Sequence, residues 1–447
     1  MAMASISELP KYEVYKDSGV SWVGAIPAHW ESFPLCAKSK LKSISNKENE
    51  ELLSVYLDRG VIKFDDEDAK RTNATSSDLS KYQLVEPGDF VLNNQQAWRG
   101  SVGVSEHRGI VSPAYLILSL SEDISPRFGN YLFRDGSMVA NYLVSSKGVG
   151  TIQRNLYWPQ LKRALVFLPS IEEQDLIANF LDKKTTQIDE AIAIKEQQIA
   201  LLKERKQIII QKAVTQGLDP NVPMKDSGVD WIGQIPAHWE VRRSKFLFAQ
   251  RKERAWKDDV QLSATQAYGV IPQDQYEELT GKRVVKIQFH LDKRKHVEKD
   301  DFVISMRSFQ GGLERAWARG CIRSSYVVLR ALEEIDPAFY GYLLKLPAYI
   351  AALQQTASFI RDGQDLNFDN FSQVDLFIPP IEEQREIANY ISTFMDSSDE
   401  GIVLLQSQID KLKEYKTTLI NSAVTGKIKV TPEMAGLEYS SQGAVEA

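Results

Sequence analysis

The sequence has no long apolar run, and this absence limits the class of protein. None of the apolar segments in the 447 residues approaches the roughly 20 residues needed to span a bilayer. The N-terminus lacks the basic and then apolar pattern of a signal peptide. With 43% hydrophobic and 26% charged residues, the composition is that of a globular protein. We therefore expect a soluble, cytoplasmic protein.

Cysteine and histidine are too sparse for a disulfide framework or a zinc site. Cys36 and Cys321 are the sole cysteines, and no C-x-x-C spacing occurs. The five histidines never form a helical H-x-x-x-H pair. The sequence therefore predicts no metal site in this chain.

Sequence motifs of catalysis are missing as well. There is no G-x-x-x-x-G-K-[ST] loop, no G-x-S-x-G elbow and no Asn-Pro-Pro-Tyr motif of amino-methylating enzymes. The short glycine segments 100–103 and 310–312 are typical of turns. Asp189, Glu190 and Lys195 resemble a nuclease set only loosely, and their spacing favours a charged helix face. We expect a chain without catalytic residues or a cofactor of its own.

What the sequence does contain is a long internal repeat. KDSGVSWVGAIPAHWE at 16–31 returns as KDSGVDWIGQIPAHWE at 225–240, identical at 13 of 16 positions. FLPSIEEQDLIANFLD at 167–182 returns as FIPPIEEQREIANYIS at 377–392, and AVTQG at 213 returns as AVTGK at 423. No insertion separates the last two anchors. The chain therefore consists of two copies of one plan.

The repeated segments that begin at residues 169 and 379 have the pattern of long helices. Ser170 stands three residues before Glu173, which is the spacing of a capping box. About 45 residues without proline follow, and apolar residues recur at heptad spacing in the second half. Lys206 and Lys416 both occupy an a position. The other predicted coiled-coil core residues are Ile188, Ile192, Ile199, Leu202, Ile209, Ile402, Leu405, Ile409, Leu412 and Leu419.

Two matched helices of equal length favour packing on each other over packing on their own domains. Antiparallel packing would place one domain at each end of a shared rod, with the pseudo-two-fold symmetry of a homodimer. The alternative is a pair of helices that each lie on their own domain. We also expect the aromatic residues of 16–31 and 225–240 to anchor each domain against the rod or against a partner.

Between the anchors, residues 32–165 and 241–375 share only traces, such as Arg-Gly at 108 and 319. Each block has short β-like runs, near 90–92, 114–120, 302–305 and 326–329, and one helix, near 128–143 or 337–355. The fold class is therefore α+β, with two globular domains and two long helices. The predicted segments are domain 1–168, helix 169–217, domain 218–378, helix 379–427 and a flexible tail, 428–447.

Basic residues are concentrated, although the net charge is −6. Seven of them fall between Val241 and Lys257, where Glu253 is the one acid. In the first block, Asn93-Asn94-Gln95-Gln96 precedes Trp98-Arg99, and amides and arginine are side chains that pair with adenine and guanine. Such residues can neutralise phosphates or contact bases, but a solvated surface would look similar. The candidate DNA-binding residues are Asn94, Gln95, Arg99, Arg108, Lys147, Arg154, Arg251, Arg254, Lys257, Arg307, Arg315, Arg319 and Arg361.

The chain resembles the specificity subunit of a type I restriction-modification system in three features. These are the duplicated Ser-Gly-Val-x-Trp-x-Gly-x-Ile-Pro-x-His-Trp-Glu motif, the duplicated Ile-Glu-Glu-Gln helix start and the divergent blocks between them. The resemblance covers essentially the whole chain. It implies that each block is a target recognition domain that reads half of a bipartite DNA site. The helices would form an antiparallel coiled coil that sets the spacing of the half-sites.

The resemblance also implies partners. Two methyltransferase subunits would use S-adenosylmethionine to methylate adenine, and restriction subunits would use ATP and Mg for cleavage of double-stranded DNA. The base-contacting residues differ among such subunits, so no motif assigns them here. Two other classes remain open from the residues alone: a coiled-coil scaffold that binds proteins and no DNA, and a self-sufficient restriction enzyme.

Overall fold

Each of the two repeated proline-free segments forms one continuous helix in the computed structural model. The first long helix is Ile171–Gln216 and the second long helix is Ile381–Val424. The structure describes residues 5–57, 59–66, 78–149, 153–287, 289–305, 308–356 and 366–437. Within these ranges, every helix is too short or too polar to cross a bilayer.

The chain divides into two units, and each unit contains one globular domain and one part of each long helix. The first unit comprises Met1–Lys195 and Gln406–Ala447, and the second comprises Glu196–Leu405. In each unit the domain is built from short antiparallel strands and short helices.

The first unit is organised around a four-stranded sheet. Its strands lie in the order Ser39–Lys42, Tyr115–Leu120, Asp89–Asn93 and Val102–Val104. Five antiparallel pairs surround this sheet: Tyr15–Asp17 with Ala25–Pro27, Glu31–Pro34 with Leu165–Leu168, Leu53–Tyr56 with Gly60–Lys63, Gln83–Val85 with Gly109–Val111, and Ser146–Val149 with Gln153–Leu156. The short helices are Pro126–Arg134, Gly136–Val144, Trp158–Leu161 and Pro432–Ala435.

The second unit repeats this topology. Its sheet has the order Phe248–Arg251, Val327–Ala331, Phe302–Ile304 and Glu314–Arg315. The antiparallel pairs are Met224–Asp226 with Gln234–Pro236, Glu240–Arg243 with Asp375–Ile378, Leu262–Thr265 with Gly269–Pro272, and Lys295–Val297 with Gly320–Ile322. The short helices are Gln273–Thr280, Ser308–Gly311, Pro337–Leu343, Pro347–Gln355 and Phe368–Ser372.

The strands expected from the sequence are present, whereas the prediction of one single helix at 128–143 and another at 337–355 is wrong. Each is a pair of helices. The first pair breaks at Asp135, whose backbone is extended and whose carboxylate caps the next helix at the Ser137 amide. The second pair breaks before Pro347, and Leu346 is extended, as a residue that precedes proline usually is.

The repeat extends into the blocks that look divergent in sequence. Lys42 Nζ lies 2.6 Å from Asp89 Oδ2, and at the equivalent place Arg251 Nε donates to Asp301 Oδ2 at 2.6 Å. Gly109 and Gly320 are also equivalent. A Cβ at Gly109 would lie 2.4 Å from the Glu51 carbonyl oxygen, and one at Gly320 would lie 2.3 Å from that of Val260, each two residues before a neighbouring strand. Shared packing therefore preserves a framework that few identical residues reveal.

The long helices run antiparallel within each unit. In the first unit, Lys416 Nζ lies 2.6 Å from Asp189 Oδ2, and Lys195 Nζ donates to Gln408 Oε1 at 2.6 Å. In the second unit, Lys206 Nζ donates to Asp399 Oδ1 at 2.5 Å. The two lysine–aspartate pairs are equivalent in the repeat. Each lysine at an a position therefore binds an aspartate of the opposite helix.

The ten residues predicted for the coiled-coil core differ in burial. Buried are Ile188, Ile192, Ile199, Ile409 and Leu419. Partly buried are Leu202, Ile209, Ile402, Leu405 and Leu412. In the second unit, the domain core reaches the helices, because Val214 and Ile387 pack in one cluster with Trp239 and Phe377.

The repeated His-Trp dipeptide binds the start of a long helix in each unit. His29 Nε2 and Trp30 Nε1 lie 2.9 and 3.1 Å from the two carboxylate oxygens of Glu173. His238 and Trp239 contact Glu383 in the same way, at 3.0 and 2.5 Å. The Ser170 hydroxyl accepts a long bond of 3.4 Å from the Glu173 amide, but the Glu173 carboxylate binds these rings and not the cap residue. The repeated motifs are thus contact partners of one another.

The same motif also contacts the end of the other long helix. Gly426 follows the second long helix with φ 70°, and a Cβ there would lie 2.3 Å from Pro27 Cδ. Gly217 follows the first long helix with φ 74°, and its Cβ would lie 3.5 Å from the Trp239 ring. Within its own unit, each motif therefore joins the start of one long helix to the end of the other.

Candidate nucleic-acid interface

The first candidate surface is a turn that follows a central strand of the first domain. After Asp89–Asn93 the chain makes a 3₁₀ turn, Ala97–Arg99. Gly100 then adopts φ 103°, a left-handed conformation that lets the chain return as the edge strand. The Trp98 indole donates to the Gln95 carbonyl at 2.9 Å, which fixes the ring on the turn.

Cations lie over the aromatic rings at this turn. The Arg99 and Arg154 guanidinium carbons are 4.6 and 5.6 Å from the centre of the Trp98 ring. Lys147 Nζ is 3.6 Å from the centre of the Tyr157 ring. The hairpin that carries Lys147 and Arg154 is joined to the turn by the Leu156 amide, which donates to the Asn94 carbonyl at 3.0 Å. We call these residues, with Gln95, the Trp98 surface.

The two predicted amides at this turn have different environments. Gln95 is exposed. Asn94 is half-buried, and within the described ranges its side-chain oxygen is buried without a hydrogen-bond partner. Gln95 is therefore placed to meet a ligand, whereas Asn94 faces partly inward.

Arg108 does not join the Trp98 surface. Its Nη1 lies 2.8 Å from Glu86 Oε1, and its Nε donates to Glu50 at 3.0 Å. The hydrogen bond to Glu50 is the main cause of a raised pKa of Arg108. Both carboxylates would compete with a phosphate for this guanidinium.

Two of the second domain's candidates are inward-facing ion-pair partners. The Arg251 side chain is 13% exposed and binds the buried Asp301. The Arg315 side chain is 17% exposed, donates to Asp300 at 2.8 Å and lies 4.4 Å from the centre of the Trp317 ring. These two arginines therefore stabilise the domain through ion pairs, and their charge is less available to a ligand.

Three other candidates gather near Trp256, and we call them, with Trp256, the Trp256 surface. Arg254 and Lys257 are exposed, and the Arg254 guanidinium donates to the Lys293 carbonyl at 2.8 Å. The Arg319 guanidinium lies 5.5 Å from the centre of the Trp256 ring and is paired with Asp258. All three cations are exposed, and Arg319 among them is paired with a carboxylate.

A buried histidine supports the Trp256 ring from below. The His296 and Trp256 rings stack at 3.9 Å, with 15° between their planes. His296 Nδ1 lies 2.8 Å from Asp259 Oδ2, and Nε2 lies 2.9 Å from Glu298 Oε1. Burial disfavours the charged ring, but the hydrogen bonds with the two carboxylates outweigh burial and raise the pKa of His296. The polar network fixes the plane on which Trp256 lies.

Arg307 and Arg361 lie outside the described residues. In the part of the chain that the structure describes, no group of three or more His, Cys, Asp or Glu side chains could hold a metal ion. Sequence reasoning did not single out Trp98, Tyr157 or Trp256. A sequence signal for these rings did exist, since an aromatic residue lies next to a candidate cation in Trp98-Arg99.

The fold defines a class of protein with two related α+β domains and two long helices, and comparison with known proteins shows which family it resembles. Residues 236–409 match the model of the type I restriction modification DNA specificity domain. A Methanocaldococcus jannaschii protein named as the MjaX specificity subunit of a type I restriction enzyme is 23% identical over 91% of this chain and 96% of its own. The MjaVIII specificity subunit of the same organism is 22% identical over 78% and 81%.

Solved structures agree in fold. A chain from a structure of assembly and conformational transition in the type I R-M system has a TM-score of 0.62 and 14% identity, and covers 89% of this chain and 98% of that one. The HsdS subunit from Thermoanaerobacter tengcongensis has a TM-score of 0.52 and 15% identity, over 90% and 98%. These comparisons bear out the resemblance: residues 236–409 match the specificity-domain family, and most of the chain is similar to specificity subunits of type I restriction enzymes.

Proposed function

We propose that this chain is the DNA-recognition subunit of a type I restriction-modification complex, and that each domain reads one half of a bipartite site. The observation that carries the proposal is a duplicated framework with unlike exposed side chains. The Trp98 surface and the Trp256 surface lie on different parts of the repeated topology. Two domains that bind different base sequences need common packing and different contact residues.

The chemistry of the two surfaces suits duplex DNA. Exposed Lys147, Arg99, Arg254 and Lys257 can neutralise phosphates and release counterions. Gln95 offers an amide for bidentate pairing with adenine. Arginine held over an aromatic ring keeps its planar donors oriented, so that contact with a base edge costs less side-chain entropy.

The helix pair would fix the distance between the half-sites and dock two methyltransferase subunits. Large apolar side chains remain exposed on it: Leu201 and Ile208 stand seven residues apart and are 64% and 56% exposed. Ile194 and Leu404, which are equivalent in the repeat, are 56% and 60% exposed. Exposed apolar residues at helical spacing are typical of surfaces that bind a partner helix.

In the assembled complex, the chemistry would belong to the partners. Methyltransferase subunits would supply S-adenosylmethionine and methylate adenine in each half-site. Restriction subunits would supply ATP- and Mg-dependent cleavage. This chain would choose the site and position both activities, without a catalytic role.

The proposal is tested by expressing the chain with its methyltransferase subunit and mapping adenine methylation in the host genome. We expect one bipartite motif. Replacing Arg99 and Arg154 with alanine should relax or abolish one half of it, and replacing Arg254 and Lys257 should affect the other half. Methyltransferase binding without site-specific methylation or salt-dependent DNA binding would support a protein scaffold instead.

The role of the helices has its own test. One heptad inserted at equivalent positions of both long helices adds about 10 Å, which is roughly three base pairs of DNA. The spacer between the half-sites should lengthen by about that number, while both half-sites stay the same. An unchanged spacer would show that the helices do not set the separation.

A further inference from the structure

Residues 282–287 and 289–293 of the second domain are rich in basic residues and have exposed apolar side chains, and we call them the basic segment. Val285 is 87% exposed and Phe289 is 77% exposed, the two highest values among the exposed large hydrophobic residues of the described chain. Lys282, Arg283 and Lys293 are also exposed. At this exposure, packing of the Phe289 side chain contributes almost nothing to the stability of the fold. A role in binding would explain why a large apolar side chain is exposed here.

Hydrogen bonds, and not burial of its side chains, hold this segment in place. The Val284 amide donates to Glu277 Oε1 at 2.6 Å. The Ile287 amide and carbonyl both bind the Gln261 side chain, at 3.2 and 2.9 Å. These bonds fix the backbone at Val284 and Ile287 in advance of binding, which lowers the entropy cost of binding.

The segment adjoins the Trp256 surface. The Arg254 guanidinium donates to the carbonyl of Lys293, and the Ala255 amide donates to the Arg294 carbonyl at 3.0 Å. Phosphate-binding cations and an exposed aromatic ring thus belong to one connected structure. That combination occurs in proteins that insert apolar side chains between base pairs while basic residues bind the backbone.

We propose that Phe289 is a wedge that inserts between stacked base pairs of the half-site read by the second domain. This inference rests on the proposed function. The wedge would unstack one step, and flexible pyrimidine–purine steps would accept it at least cost. Phe289 would then contribute to specificity through the deformability of the DNA, without a hydrogen bond to a base.

The test uses the full chain assembled with its methyltransferase subunits and a DNA duplex that carries the mapped target. 2-Aminopurine is placed in turn at each position of the half-site. We expect its fluorescence to rise at one step when the unmodified complex binds. Phe289→Ala should abolish that rise and weaken specific binding roughly 5- to 100-fold, the range typical of losing one stacking contact. Phe289→Trp should retain the rise.

Leu332→Ala is the matched control, because Leu332 is 52% exposed in the same domain but follows the strand Val327–Ala331, away from the basic segment in sequence. It should leave affinity and fluorescence unchanged. If Phe289→Ala binds as tightly as the unmodified chain with the same fluorescence, the wedge is wrong while the proposed function stands. If Phe289→Ala instead loses its methyltransferase subunits, the segment binds protein, and the wedge is also wrong. Absence of specific binding by the unmodified complex would overturn both.

Discussion

The two domains share a framework but use equivalent positions differently. Arg108 and Arg319 each begin an Arg-Gly pair at the same place in the repeat. Arg108 lies between Glu50 and Glu86, whereas Arg319 pairs with Asp258 and also lies over the Trp256 ring. The glycine that follows is constrained by the neighbouring strand in both domains. Packing therefore preserves the glycine, while the arginine beside it is free to acquire a new role.

A second contrast lies inside the domains. Leu84 pairs with Ile110 in the strand register of the first domain, and His296 pairs with Cys321 at the equivalent place in the second. All four residues are buried. One domain thus has an apolar contact where the other has an ionic network beneath Trp256.

The largest predicted difference concerns the glycines that end the long helices. Gly426→Ala should cost about 3 kcal/mol or more, because a left-handed alanine is strained and its Cβ would overlap Pro27. Gly217→Ala should cost about 1 kcal/mol, because its Cβ would meet the Trp239 ring at an ordinary 3.5 Å. Chemical denaturation followed by tryptophan fluorescence would measure both.

Gly136→Ala is the control for these glycine variants, because its φ is not positive and a Cβ there meets nothing within 4 Å. It should change stability by less than about 0.5 kcal/mol. Equal losses at Gly426 and Gly217 would mean that the end of the helix, and not the contact with Pro27, sets the cost.

The carboxylates that bind the His-Trp dipeptides should differ less. Glu173→Ala leaves the buried indole of Trp30 without an acceptor and also removes the acceptor of the Tyr12 hydroxyl, 2.5 Å away. We expect a loss of about 2 to 3 kcal/mol, and a somewhat smaller loss for Glu383→Ala, which has no tyrosine contact among the described residues. Glu382→Ala, at an exposed neighbour, should cost less than about 1 kcal/mol. A larger loss at Glu383 than at Glu173 would contradict this ranking.

The ionic network predicts a pH dependence specific to the second domain. Because the pKa of His296 is raised in the folded chain, its stabilisation is complete below the ordinary histidine pKa of about 6.5 and is lost as the pH rises through the folded value. Thermal unfolding between pH 6 and 8 should therefore show stability falling with pH. His296→Gln should flatten that dependence. If the pH dependence of stability is unchanged in His296→Gln, another titrating group causes it.

The sequence was sufficient for the long helices, the repeat and the central strands, because these depend on periodicity and local preference. The helix break at Asp135 was missed, since Asp is tolerated inside helices and its capping role depends on the Ser137 amide. The shared framework of the domains was also underestimated. Equivalent ion pairs, such as Lys42–Asp89 and Arg251–Asp301, unite residues 47 and 50 apart and leave no local pattern.

The candidate surface residues were the hardest to evaluate from the sequence. Composition selected Arg99, Arg251 and Arg254 alike, because each lies in a basic or amide-rich stretch. Only the fold separates the inward-facing Arg251 from the exposed Arg254. The sequence records charge, whereas availability to a ligand depends on the tertiary position of carboxylates such as Asp301.

The smallest predicted effects compare the two lysine–aspartate pairs of the helices. The Lys206 side chain is 13% exposed and that of Lys416 is 30% exposed, so water screens the first pair less. Double-mutant cycles with alanine should give a coupling of about 1 kcal/mol for Lys206 with Asp399 and about 0.5 kcal/mol for Lys416 with Asp189. Lys203→Ala, an exposed change on the first long helix, serves as the control and should show no coupling to Asp399. Equal couplings that both persist at high salt would mean that the helices pack alike in the two units and that screening does not distinguish them.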